Sequence, residues 1–338
     1  MLISKNCVAW CLILIAGTRI ALGQEVAGKK WCAAAVYQAE DSLDAKPDKN
    51  EDSQQCLAGL TNWIPGEFTV QVHAAEKSAE FQRISFPSPK PSGIPECDLV
   101  SCEWYPARGA DGEVLHARAV VVVHESGRAM AVGKLISSEL ARRGCHAFLV
   151  ELPGYGYRKF DTAASNAPSF VAGFQQGVAD VRRARDAITA LPQVDVGRIV
   201  LQGTSLGGFV ASLTGALDQG FDRTVLLLSG GNLYGVLTQG AEDAKKTLER
   251  IRASGITDEE LKVELNKIEP LRLAHRLNPE STWLYSATLD EVVPPENSMQ
   301  LAKAAGLTDD HHRKILANHY SGIIYLPGIL SHIVELTK

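Results

Sequence analysis

Arg198-Ile199-Val200-Leu201-Gln202, then Gly203-Thr204-Ser205-Leu206-Gly207, then Gly208-Phe209-Val210-Ala211-Ser212-Leu213-Thr214-Gly215-Ala216-Leu217, is the stretch whose reading decides the fold. The first run is apolar without polar alternation, as in a strand buried on both faces. The last is a run of small residues able to form a tightly packed helix. Between them stands G-x-S-x-G. A serine hydroxyl is a poor nucleophile until it is lifted clear of the backbone to where a base can reach it, on a sharp turn that only small flanking residues permit. Gly203 and Gly207 allow that turn, and the strand and helix that the motif requires surround it. Ser205 is therefore the candidate nucleophile; the alternative is a glycine-rich turn carrying an incidental serine.

Similar apolar runs lie on both sides: 119–123, 147–150, 224–228, 283–285 and 314–317, separated by segments of helix length at 131–143, 170–191, 295–305 and 321–336. This alternation predicts an α/β fold with a mostly parallel sheet. Upstream, 68–72 and 81–86 alternate like half-buried strands, and 97–105 follows a proline-rich link, which predicts an antiparallel start to the sheet. Residues 24–65 show no sustained period and are expected to form an irregular or partly helical extension, with 66–338 as the catalytic domain. Between the strands at 224–228 and 283–285 lies an insertion, 232–275, whose charged amphipathic parts at 241–253 and 258–268 read as helices. It is a candidate lid, or an ordinary surface pair of helices.

A serine nucleophile needs a base, and the base needs a group that fixes its tautomer and stabilises the imidazolium. Asp290 follows a predicted strand and precedes Pro294-Pro295, so its loop faces the same sheet edge as Ser205; Glu291 is its rival. His319 follows the strand at 313–317 and emerges on that edge too, whereas His311 and His312 precede the strand and His332 sits in the closing helix. The oxyanion of acyl transfer needs two donors. One is expected to be the backbone N–H of Leu206. The other is expected from His124-Glu125-Ser126-Gly127, after the valine strand, with the N–H of Ser126 preferred and that of Glu125 as rival.

The 338 residues are 45% hydrophobic and 22% charged, an ordinary globular composition, and the net charge of −5 offers no long-range attraction for nucleic acid. Lys5, the apolar stretch from Val8 to Ala16, and Ala21-Leu22-Gly23 predict a signal peptide at 1–23, cut after Gly23, and a secreted or periplasmic protein. A retained anchor is the alternative, but the apolar stretch is short for a bilayer span and no other segment is long enough. Export leaves Cys32, Cys56, Cys97, Cys102 and Cys145, an odd number in an oxidising compartment. Cys145, at the start of a buried strand, is the expected free thiol. The others permit the local pairs Cys32–Cys56 and Cys97–Cys102. No CxxC pair or histidine cluster supports a metal site.

Taken together, the valine strand with His124, Glu151-Leu152-Pro153-Gly154-Tyr155-Gly156, Gly203-Thr204-Ser205-Leu206-Gly207-Gly208, Leu289-Asp290 with Val293-Pro294-Pro295, and Asn318-His319 resemble the α/β-hydrolase family from about Glu113 onward. The resemblance implies a mostly parallel, eight-stranded sheet, a triad of Ser205, Asp290 and His319 at its carboxyl edge, and no cofactor. Two departures stand out. Glu125 occupies the place where the family usually has glycine, and could set a negative charge beside an oxygen that must itself become negative. Glu151 stands where many relatives carry aspartate, a change expected to be structural. The function expected is a serine hydrolase acting on a small-molecule or polymer-linked carboxylic ester. The alternatives are an amidase, peptidase or thioesterase of the same fold, or a catalytically silent binding protein. Dehalogenase or epoxide hydrolase chemistry would need a carboxylate in place of Ser205.

Overall fold

The computed structural model describes residues 28–75, 79–160 and 169–338. The signal peptide and its cut after Gly23 lie outside the described residues. A ten-stranded sheet runs in the order β1-β2-β3-β4-β6-β5-β7-β8-β9-β10. The first four strands, β1 (Ala35–Glu40), β2 (Glu67–Val72), β3 (Gln82–Pro87) and β4 (Leu99–Tyr105), pair antiparallel. β4 then pairs antiparallel with β6 (His146–Val150). From there onward β6, β5 (Ala117–Val123), β7 (Val194–Thr204), β8 (Arg223–Leu227), β9 (Thr282–Ala287) and β10 (His312–Ile315) are parallel.

The valine run shows why the central strands carry no polar alternation. Val121 and Val123 enter the core on one face of the sheet, and Val120 and Val122 enter the core on the other. A strand covered on both sides must be apolar at every position. α2 (Ala131–Arg142) and α8 (Leu326–Leu336) cover one face with Ile136, Leu140, Ile329, Leu330 and Ile333. α3 (Phe170–Thr189) and α4 (Leu206–Asp218) cover the other with Val178, Val181, Ile188, Val210, Leu213 and Leu217. After β5 the chain crosses to β6 on one side, and β7 returns to the other side of β5. The carboxyl ends of β5 and β7 are thus neighbours at a topological switch point, where open α/β sheets place their sites.

Two expectations are refined and one is corrected. The sheet is mostly parallel, as expected, and has ten strands where eight were expected. The extension is more ordered than its sequence suggests: β1 pairs with β2 from Ala35↔Val72 to Glu40↔Glu67, and α1 (Glu51–Leu60) is capped by Asn50, whose side chain accepts from Ser53 N at 3.0 Å. α1 buries Cys56, Leu57 and Leu60 against 266–273 of the insertion. Cys32, Cys56, Cys97, Cys102 and Cys145 are all free thiols, so neither expected disulfide is formed. Cys32 lies beside Arg108 and Glu113, while the Cys56 thiol donates to Lys267 O. Cys97 sits in a helical turn and Cys102 within extended β4.

In the insertion, α5 (Leu233–Gln239), α6 (Asp243–Arg252) and α7 (Asp258–Leu265) are formed. The start of α7 is legible in the sequence, since Thr257 and Glu260 make a reciprocal capping box. Buried Glu269 accepts from Asn232 N, Leu233 N and Leu271 N at 2.7–2.9 Å and so binds the end of the insertion to its beginning.

Candidate active site

β7 ends in a turn that forces Ser205 to φ 52°, ψ −115°, a conformation costly for any residue but glycine. Two close approaches explain the flanking glycines. A Cβ on Gly203 would lie 2.2 Å from Gly207 O, and a Cβ on Gly207 would lie 2.2 Å from Val123 O and 2.6 Å from His124 O. The Ser205 N–H is fixed by donating to Leu227 O at 2.8 Å. The turn is therefore held between the ends of β5 and β8, with Ser205 immediately before the first residue of α4.

His319 Nε2 lies 3.0 Å from Ser205 Oγ, and His319 Nδ1 lies 2.7 Å from Asp290 Oδ2. The other carboxylate oxygen of Asp290 accepts from Val292 N and Val293 N, both at 2.9 Å. These bonds assign the imidazole tautomer: the carboxylate is an acceptor, so the ring proton is on Nδ1 and the Nε2 lone pair faces the serine hydroxyl. Ser205 and Asp290 are buried and His319 is nearly so. Glu291 is exposed; its backbone carbonyl accepts from Ala241 N at 2.7 Å, which ties the insertion to the acid's loop. The other carboxyl-terminal histidines serve the packing elsewhere. His311 donates to Thr282 O and stacks on Trp283, His312 meets Ser286 Oγ, and His332 meets the Tyr285 hydroxyl.

Leu206 N–H, at the first residue of α4, has no acceptor among the described residues, and neither have the N–H groups of Glu125 and Ser126. The carboxylate of Glu125 turns away from this place. Its two oxygens accept from Val132 N and Gly133 N, each at 3.1 Å, at the start of α2. His124, fully buried, donates through Nδ1 to Glu125 O at 2.7 Å and accepts through Nε2 from Leu152 N at 3.1 Å. Burial pushes its pKa down to about 4, so the ring is neutral, as this donor–acceptor pair requires. The Tyr155 hydroxyl donates to Ser126 O at 3.0 Å, and its ring lies 4.5 Å from that of His124. These roles of His124, Glu125 and Tyr155 were not legible, because every partner is a backbone group, whose position residue names do not show, and Leu152 N and Ser126 O lie 28 and 29 residues from the side chains that meet them.

The loop carrying Tyr155 has its own fixed base. Arg158, fully buried, donates to Glu151 O at 2.7 Å, to Asp180 at 2.6 Å and to Cys97 O. Glu151 is structural, as expected: Oε2 accepts from Tyr157 N at 2.7 Å, and burial raises its pKa to about 7, helped by nearby Glu103. Gly156 is required here, since a Cβ on it would lie 2.1 Å from the Glu151 carboxyl carbon. Among the described residues there is no group of His, Cys, Asp and Glu able to hold a metal ion, and no helix long and apolar enough to cross a membrane.

The profile of the alpha/beta hydrolase family matches residues 120–316, more than half of the chain, which therefore belongs to this family. Solved structures agree on the fold. An acetyl xylan esterase from Paenibacillus sp. R4 superposes with a TM-score of 0.62 at 15% identity, covering 87% of this chain and 96% of that one. Acetyl xylan esterase 1 from Thermoanaerobacterium sp. JW/SL YS485 gives 0.59 at 15% identity, covering 88% and 98%. A puromycin-hydrolyzing peptidase of Mycobacterium tuberculosis gives 0.55 at 17% identity, covering 80% of this chain and 43% of that one. Among curated protein sequences, none matches this chain.

Proposed function

We propose that this protein is a serine hydrolase that cleaves carboxylic esters through an acyl-enzyme. The observation that carries the reading is the continuous hydrogen-bonded chain from Ser205 Oγ through His319 to Asp290, at 3.0 and 2.7 Å. His319 Nε2 takes the serine proton as Oγ attacks the ester carbonyl, and Asp290 stabilises the imidazolium that forms. The oxygen, now negative, is received by the N–H groups of Leu206 and Ser126. His319 then returns its proton to the departing alcohol, and a water activated by the same nitrogen releases the acid.

The concern that Glu125 would oppose an oxyanion loses its force, because the carboxylate is engaged by two N–H groups at a helix N-terminus. Esters are favoured over amides by the two xylan-esterase neighbours, which the chain covers almost end to end. The insertion is joined to the acid's loop through Ala241 N, and in this reading it supplies part of the wall around the substrate. Export with cleavage after Gly23 belongs to the same reading; a mature chain beginning at a residue other than Gln24 would contradict it. Hydrolysis is tested with p-nitrophenyl esters of increasing acyl length beside the matching anilides and thioesters. Turnover of esters with no comparable turnover of the others is expected. Faster anilide cleavage would make the protein an amidase or peptidase, and inertness toward all of them would end the reading.

A further inference from the structure

α2 begins without a cap of its own. Its N-cap residue, Met130, is in the left-handed conformation (φ 53°, ψ 37°) and makes no side-chain capping bond. The first N–H groups of a helix need acceptors from somewhere. Here two of them find the carboxylate of Glu125, which reaches back across the intervening turn to Val132 N and Gly133 N. The space for this is built in: a Cβ on Gly127 would lie 3.2 Å from Glu125 Oε1, and a Cβ on Gly133 would lie 2.8 Å from the Cβ of His124. The first turn of the helix is pressed directly onto the loop that Glu125 belongs to.

The same residue shares the peptide that carries the second oxyanion donor. In a trans peptide the carbonyl of one residue and the N–H of the next point in opposite directions. The carbonyl of Glu125 is held by His124 Nδ1–H, so the N–H of Ser126 must point the other way. The next carbonyl, of Ser126, is held by the Tyr155 hydroxyl. His124 and Tyr155 thus fix the peptides on either side of Ser126 Cα. The Glu125 side chain fixes the Cα from which the first of these peptides departs, by joining it to α2.

We propose that Glu125 is a positioning residue of the oxyanion hole: by latching the loop to the first turn of α2 it fixes the direction of the Ser126 N–H. This rests on the hydrolase reading above. A glutamate at this place is therefore a brace with its charge offset by the helix terminus, rather than a defect in the hole.

The test uses the full mature chain with Glu125→Ala and Glu125→Gln, the best p-nitrophenyl ester, and a trifluoromethyl ketone of the same acyl length, whose serine adduct carries the oxyanion. Removing an oxyanion donor outright costs roughly 10²–10³ in kcat; loosening one is expected to cost roughly 10–10² in Glu125→Ala, with KM changed less than about threefold. The inhibition constant of the ketone should rise by the same factor by which kcat/KM falls. Glu125→Gln, whose amide oxygen can still accept from α2, should retain more activity than alanine does. Should alanine prevent folding, the glutamine variant carries the test through the same parallel between ketone affinity and kcat/KM. Unchanged kcat in Glu125→Ala, or lost activity with unchanged ketone affinity, would overturn the proposal while leaving the hydrolase reading intact. A folded wild type that turns over no ester would overturn both.

Discussion

Asparagine in place of Asp290 isolates what the acid does for the imidazole. One carboxylate oxygen accepts from Val292 N and Val293 N at 2.9 Å, and the other accepts from His319 Nδ1–H at 2.7 Å. An amide has a single oxygen. Turned so that its NH2 faces the two backbone donors, it would leave both buried and unpaired, at a cost of about 1–3 kcal/mol each. The oxygen is therefore held on Val292 and Val293, and the NH2 faces Nδ1. His319 can then meet it only as an acceptor, which moves the ring proton to Nε2 and removes the lone pair that should receive the serine proton. The expected loss in kcat is about 10⁴, with little change in thermal stability. Asp290→Ala should behave differently: it orphans the two N–H groups and so is the less stable variant, yet it does not impose the wrong tautomer and is at least as active as asparagine. Steady-state hydrolysis of a p-nitrophenyl ester, with thermal unfolding of each variant, decides the matter. Asparagine activity within about tenfold of wild type would refute the assigned tautomer and Asp290 as its source.

Gly207→Ala should destroy the site through the backbone, since its Cβ would meet the carbonyls of Val123 and His124 at 2.2 and 2.6 Å. A loss of about 3 kcal/mol or more is expected, with slow or absent labelling of Ser205; a stable, fully active variant would contradict the geometry of the turn. Glu151 predicts a pH dependence. Its pKa rises from 4.5 unfolded to about 7 folded, so the unfolded chain releases the proton first and stability falls as pH rises through that window. Glu151→Gln does not titrate. Its stability relative to wild type, measured by urea unfolding, should therefore rise by about 3 kcal/mol between about pH 4.5 and pH 8. His124 and His146, both held at about 4 by burial, titrate alike in the two proteins and cancel from the comparison; a difference that does not vary with pH would refute the raised carboxyl.

The central strands and the turn at Ser205 were legible because burial on both faces leaves no room for polar residues, as at Val120 to Val123, and because Gly203 and Gly207 answer to backbone contacts that any β-carbon would violate. The order of Ser205, Asp290 and His319 was legible because parallel strands deliver every following loop to the same edge. β1 was not, since an edge strand buries little, and Ala39 is its one buried residue. The disulfides failed because cysteine spacing says nothing of the element each residue enters: Cys97 lies in a helical turn and Cys102 inside a strand, both buried as free thiols. Glu125 was legible only as an unwelcome charge. What its charge meets is the first turn of a helix, and the missing cap at Met130 shows in the backbone, not in the residue names.

The central claim is that the Ser205 hydroxyl is a nucleophile activated by His319, and its most direct measurement is the intact mass of the protein after reaction with a fluorophosphonate, with the modified peptide sequenced. One adduct on Ser205 in the wild type is expected, with none in Ser205→Ala and a rate lowered by orders of magnitude in His319→Ala. A folded wild type that takes up no label, or a Ser205→Ala variant labelled as fast as wild type, would contradict it.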